Sequence, residues 1–137
     1  MNSIVIDGSI AVSWFLDDEA SEYGRQVRAQ IPYARLVSVP AHWMLEVTNA
    51  LLVAERRKRI ASASVNHALG ILRQMPMVTD LETDNQAGRQ TLELARQHTL
   101  SIYDAAYLEL ALRSGAALAS LDEALKTAAK KRGVRLA

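Results

Sequence analysis

Short apolar, β-branched runs alternate with longer amphipathic stretches along this chain, and that alternation restricts the fold more than any other feature. Ser3-Ile4-Val5-Ile6, ending at Asp7, reads as a first strand. Leu36-Val37-Ser38-Val39 reads as a second, with Pro40 as punctuation. Met77-Val78-Thr79 is a weaker third, and residues 116–119 form a short buried fourth. Between the strands, apolar residues recur at helical spacing. Ser9 is placed to cap a short helix through Leu16, and Asp17 and Asp18 to cap another over 19–31, ended near Pro32. Further helices are predicted over 41–58, 62–73, 83–98 and 102–114, the last stopped by Gly115. Asp122 caps a final helix to about Arg132, and Val134-Arg135-Leu136 is a candidate edge strand. Wholly apolar strands separated by helices belong to a parallel sheet covered on both faces. The expected class is α/β, a three-layer α/β/α sandwich with a mainly parallel central sheet. The 137 residues suit one domain over 1–137, without repeats or low-complexity linkers.

Composition narrows the function. Sixteen Lys and Arg face fifteen Asp and Glu, a formal net charge of +1, so bulk charge announces no nucleic-acid binder. There is no cysteine, which excludes disulfides and thiolate metal sites. The first apolar run is broken at Asp7, so no secretory signal is read. The longest uncharged stretch runs over 60–72, short of the roughly 18–20 residues of a membrane span. A cytoplasmic protein without membrane contact is expected.

Four carboxylates stand where the chain is otherwise apolar. Asp7 ends the first strand. Glu46 interrupts Trp43-Met44-Leu45 and Val47. Asp104 precedes Ala105-Ala106-Tyr107-Leu108, and Asp122 follows the last strand. Acids are seldom buried unless paired or bound to metal, and four on one edge would repel one another. A hard cation removes that conflict, so the pattern reads as a Mg²⁺ or Mn²⁺ site. Ligands of open α/β folds bind beyond the carboxyl ends of the strands, where helix N-termini also lie. One rim can therefore hold all four acids, if the strands before Asp7 and Asp122 are neighbours. Singly, Asp7 reads as a turn or cap, Asp122 as an N-cap and Asp104 as a dipole partner. Glu46 has His42 and Ala50 four residues away on either side, and no Lys or Arg. Asn49 shares its helix face, and Ser9 and Ser120 lie two residues from Asp7 and Asp122, able to support them with hydroxyls.

These residues resemble a known group. Ile4-Val5-Ile6-Asp7-Gly8-Ser9 is similar to the opening motif of PIN-domain ribonucleases. Pro40, Glu46, Asn49 and Ala50 resemble that family's second motif, and residues 102–111 its third. Ala119-Ser120-Leu121-Asp122 resembles the fourth, with Ser120 where the family commonly has Thr. Gly8 after the first acid is the other departure. Motif order, spacing and length are similar to those of small bacterial toxins of the VapC type. The resemblance implies a PIN fold, Mg²⁺- or Mn²⁺-dependent endoribonuclease activity on RNA, a VapB-like antitoxin partner and a homodimer. On that basis Asp7, Asp104 and Asp122 are expected to hold the metal, Glu46 to orient the attacking water, and Asn49 to steady Glu46 or a phosphate. Lys126, one turn into the last helix, is the preferred cation for RNA; Arg56, Arg57, Lys58 and Arg59 are expected to point away.

Two other functions compete. A Mg²⁺-dependent aspartyl-phosphate phosphatase usually needs a second Asp two residues after the first, where this chain has Ser9. A non-catalytic PIN-like binding module would have lost an acid, and all four are present.

Overall fold

The computed structural model describes residues 2–137. Four strands, β1 (Ser3–Ile6), β2 (Leu36–Val39), β3 (Met77–Thr79) and β4 (Ala117–Ala119), form one sheet in the order β3-β2-β1-β4. Every pairing is parallel. The sheet grows in one direction from β1 to β3 and then returns to the other side of β1. Strand order therefore reverses between β1 and β4, the place where such sheets open a crevice. Register pairs Ile6 with Ala119, so Asp7 and Ser120 leave the sheet side by side.

Among the described residues, eight helices cover the sheet: α1 (Gly8–Ser13), α2 (Glu22–Gln30), α3 (Trp43–Arg56), α4 (Ser62–Gln74), α5 (Thr83–Ala87), α6 (Gln90–His98), α7 (Ile102–Ser114) and α8 (Glu123–Lys131). Alternate strand residues face opposite layers. Val5, Val39 and Leu118 pack into the larger core with α3, α4, α6, α7 and α8. Ile4, Ile6, Val37 and Ala119 pack on the other side with Ile10, Val27 and Ile31. This is the expected three-layer α/β/α arrangement.

Several boundaries differ from the sequence reading, each for a local reason. Asp7, not Ser9, caps α1, because its carboxylate takes the Ile10 N–H at 3.2 Å while Ser9 lies inside the helix. Asp17 and Asp18 belong to a short 3₁₀ turn, and Ser21 caps α2 by accepting the Gly24 N–H at 3.1 Å. The stretch over 83–98 breaks into α5 and α6 at Gly88 and Arg89, where Arg89 leaves helical geometry with ψ −110°. Residues 134–136 make a single bridge, Leu118 with Leu136, rather than a strand. Gly115 ends α7 as expected, with a left-handed φ of 68° that suits a residue without Cβ.

A charged clamp fixes the entry to α3. Arg113 of α7 bonds Asp80, just past β3, at 2.6 and 3.1 Å, and Glu109 at 2.8 and 3.0 Å. Asp80 also accepts from the Thr83 hydroxyl, which takes the N–H of Ala41 ahead of α3. The Asp80 and Glu109 side chains are only 10% and 6% exposed. Arg113→Ala would leave two nearly buried carboxylates unpaired. The expected loss is about 2 kcal/mol, below the full cost of breaking a wholly buried pair because Arg113 is itself partly solvated. Urea unfolding checks this; an unchanged midpoint would show that the clamp adds nothing.

Candidate active site

The rim beyond β1 and β4 gathers the acids from four separate segments. Asp7 is buried at 4% exposure, directly after β1. Its Oδ1 accepts from Ser9 Oγ at 2.6 Å and from the Ile10 N–H, and its Oδ2 accepts from Ser120 Oγ. The two hydroxyls are used twice. Ser9 Oγ also takes the Leu121 N–H at 2.9 Å, and Ser120 Oγ takes the Asp122 N–H at 3.0 Å. The β4–α8 turn is thereby tied to the end of β1. Asp122 is exposed and caps α8, accepting the Leu125 N–H at 2.9 Å.

Glu46 and Asp104 enter from the larger helical layer. Asp104 lies in the first turn of α7, where Ser101 Oγ accepts its backbone N–H at 3.0 Å. Glu46 lies in the first turn of α3. Its Oε1 accepts from Tyr107 Oη at 3.1 Å, and its Oε2 lies 3.5 Å from His42 Nε2. The His42 ring meets Tyr107 and Tyr103 edge-on, with centroids 5.2 and 5.7 Å away.

Electrostatics link the acids in series. Burial pushes the Asp7 carboxyl up to about 6, its hydrogen bonds from Ser120, Ser9 and Ile10 pull it back, and the Glu46 charge adds a further rise. Burial raises Glu46, the Tyr107 hydrogen bond opposes this, and the Asp104 charge adds to it. Burial and then the Asp122 charge raise Asp104. Burial lowers His42, which keeps its imidazole neutral beside Glu46. The carboxylates thus feel one another from Asp7 through Glu46 and Asp104 to Asp122.

Among the described residues, no three acidic or imidazole groups converge as a ready cluster around one ion. The reason is visible in the partners. Asp7 is held by two serines, Glu46 is turned to Tyr107, and Asp122 is occupied with its helix. The donors are nonetheless all oxygen, the charge is uncompensated, and one carboxylate is buried. A hard divalent ion that keeps its own waters fits such a rim better than one needing direct ligands throughout.

The remaining expected residues fall differently. Asn49 is exposed, and Glu46 takes its bond from Tyr107 instead. Lys126 pairs with Glu123 at 2.8 Å. Arg59 does not point away. It bonds Asp18 at 2.8 and 2.9 Å and Glu19 at 2.6 Å, and it lines one hollow with Gly8, Ser9 and Glu46. The left-handed Lys58, φ 60°, reverses the chain after α3 and returns Arg59 along that helix. Tyr107 and His42 were not singled out from sequence. Their spacing held a usable signal: Tyr107 is one helical turn past Asp104, and His42 one turn before Glu46.

Comparison with known proteins adds kinship to this geometry. The PIN-domain family model matches residues 4–131. Ribonuclease VapC3 of Mycobacterium tuberculosis is 34% identical over 125 residues, covering 91% of this chain and 86% of that protein. Ribonuclease VapC3 of Pyrobaculum aerophilum is 25% identical over 122 residues, covering 89% and 91%. Among solved structures, the protein PAE2754 of Pyrobaculum aerophilum superposes with TM-score 0.69 at 20% identity, covering 93% of this chain and 84% of that one. VapC20 of Mycobacterium tuberculosis, a sarcin-ricin loop cleaving toxin, superposes with TM-score 0.62 at 17% identity, covering 91% and 94%. At those identities the two structures speak for the fold.

Proposed function

The chain belongs to the PIN-domain family, and from that membership and the acidic rim we infer that it is a VapC-type ribonuclease toxin cutting RNA with the help of a divalent cation. One observation carries the reading: Asp7, the one buried carboxylate of the four, lies beside the strand-order reversal and is linked electrostatically through Glu46 and Asp104 to Asp122. Fold class and kinship agree with the expectation drawn from the motifs.

Asp7, Asp104 and Asp122 are the proposed holders of Mg²⁺ or Mn²⁺, in part through water. The ion, when bound, supplies Lewis acidity and offsets charge on the phosphate. The chain's own groups do the rest. Ser9 and Ser120 fix both Asp7 oxygens, so this carboxylate needs no reorganisation. Glu46 accepts from the attacking water through the oxygen that Tyr107 does not use. Asn49, exposed one turn further along α3, is available to RNA. Lys126 must leave Glu123 to reach a phosphate, and its proposed part in RNA contact is correspondingly small.

Partners follow the family: an RNA substrate, a VapB-like antitoxin and a second copy of the chain. Leu45 and Tyr103, 76% and 64% exposed, flank an open apolar hollow of about 290 Å³ with His42 and Ile102. Such a face supports a dimer contact close to the rim. A cytoplasmic setting is proposed from kinship with the VapC ribonucleases; no described helix is long and apolar enough to cross a membrane.

Total RNA incubated with the purified protein tests this reading. Discrete cuts are expected with Mg²⁺ or Mn²⁺ and none with chelator. Small phosphoesters, assayed in parallel, should remain intact. Metal-independent cutting, or phosphoester turnover without RNA cleavage, would overturn it.

A further inference from the structure

Glu46 is a flexible side chain given an unusually defined place. Tyr107 Oη donates to Oε1 from one side at 3.1 Å. On the other side lies Gly8, where a Cβ would stand 2.8 Å from the same oxygen and 3.6 Å from Cγ and Cδ of Glu46. Carbon does not approach oxygen that closely, so any side chain at position 8 would displace the carboxylate. Tyr107 is fully buried among core residues of α7, so its ring has little freedom to follow. Glu46 Oε2, 3.5 Å from the neutral His42, is left with no short bond. One oxygen is therefore fixed and the other free.

We propose that Tyr107 and Gly8 form a seat that positions the Glu46 carboxylate for RNA cleavage, with Tyr107 the positioning donor and the bare Cα of Gly8 the clearance. The inference rests on the reading of Glu46 as a working acid. Its physical basis is preorganisation. A glutamate left mobile must be ordered in each turnover, and that ordering raises the barrier. The seat orders it beforehand. Because the crowded atom is the end of a flexible chain, Gly8→Ala should shift Glu46 without disturbing the fold. Tyr107→Phe keeps the ring and removes only the donor.

Tyr107→Phe, Gly8→Ala, their double variant and Glu46→Gln test the seat in RNA cleavage with Mg²⁺. Each seat variant is expected to lower kcat about tenfold, a fraction of what a complete acid–base group contributes, while KM stays within about twofold. The double variant should be no worse than the poorer single one, because both act through one carboxylate. A second readout needs no metal. With ¹³Cζ-labelled tyrosine, the Tyr107 resonance, assigned by its loss in Tyr107→Phe, should move in Glu46→Gln and Gly8→Ala and stay in Asp122→Asn. Parental kcat in both seat variants, or losses that multiply, would overturn the seat while Glu46→Gln remains impaired. Parental cleavage by Glu46→Gln would overturn the seat together with the reading it rests on.

Discussion

Asp104→Asn is expected to cut RNA about 10²- to 10³-fold more slowly than the parent, while the protein stays folded. A cation held in part by this acid supplies several kcal/mol of charge stabilisation, and each 1.36 kcal/mol is a factor of ten in rate. The substitution is nearly isosteric. The helix cap is untouched, because Ser101 Oγ takes the backbone N–H of residue 104, which the substitution leaves in place. What changes is charge. Asp104 is raised by burial and by Asp122, and its own charge raises Glu46. Removing it relieves that repulsion, so melting in chelator should occur at the same temperature or higher. Parental cleavage by the variant would remove Asp104 from the chemistry. A lower melting temperature in chelator would make the acid a structural one.

The strand–helix alternation was legible because each strand is short, apolar and bounded by a turn residue, and each signal is local. Asp122 was legible as a cap, since an acid between a buried strand and a helix is an N-cap wherever it lies. Asp7 and Ser9 were harder. Two good capping residues stand two apart, and the choice depends on Ser120, which pulls the Asp7 side chain into place from 113 residues away. The adjacency of β1 and β4 is equally non-local; periodicity reports that strands exist, not which ones pair. Glu46 looked free of partners because only its own helix was in view. Its hydrogen bond comes from Tyr107, across the packing of α3 against α7. The direction of Arg59 was not legible because it depends on the left-handed Lys58, a backbone choice that residue type does not announce.

In metal-free solution the protein should lose stability as pH rises from about 4 to 7, and Asp7→Asn should remove most of that loss. The sign follows from proton uptake. Asp7 ordinarily titrates at 3.8 and is pushed up to about 6 in the fold, so between those values the native state holds a proton that the unfolded chain has released. The full benefit is present below the unfolded value and is gone once pH exceeds the folded one. The two-unit rise corresponds to about 3 kcal/mol at 1.36 kcal/mol per unit. Glu46 and Asp104 shift in the same direction. Asp80 and Asp18 shift the other way, held low chiefly by Arg113 and Arg59, so their contributions weaken in acid. The informative quantity is therefore the difference between parent and variant, taken from urea unfolding at each pH in chelator. Asn retains an oxygen for the Ile10 N–H, so the α1 cap survives the substitution. Mg²⁺ at pH 7 should stabilise the parent and leave Asp7→Asn nearly unmoved, because the cation offsets a buried charge that only the parent carries. Parallel pH profiles for the two proteins would mean that burial does not raise Asp7 in the fold.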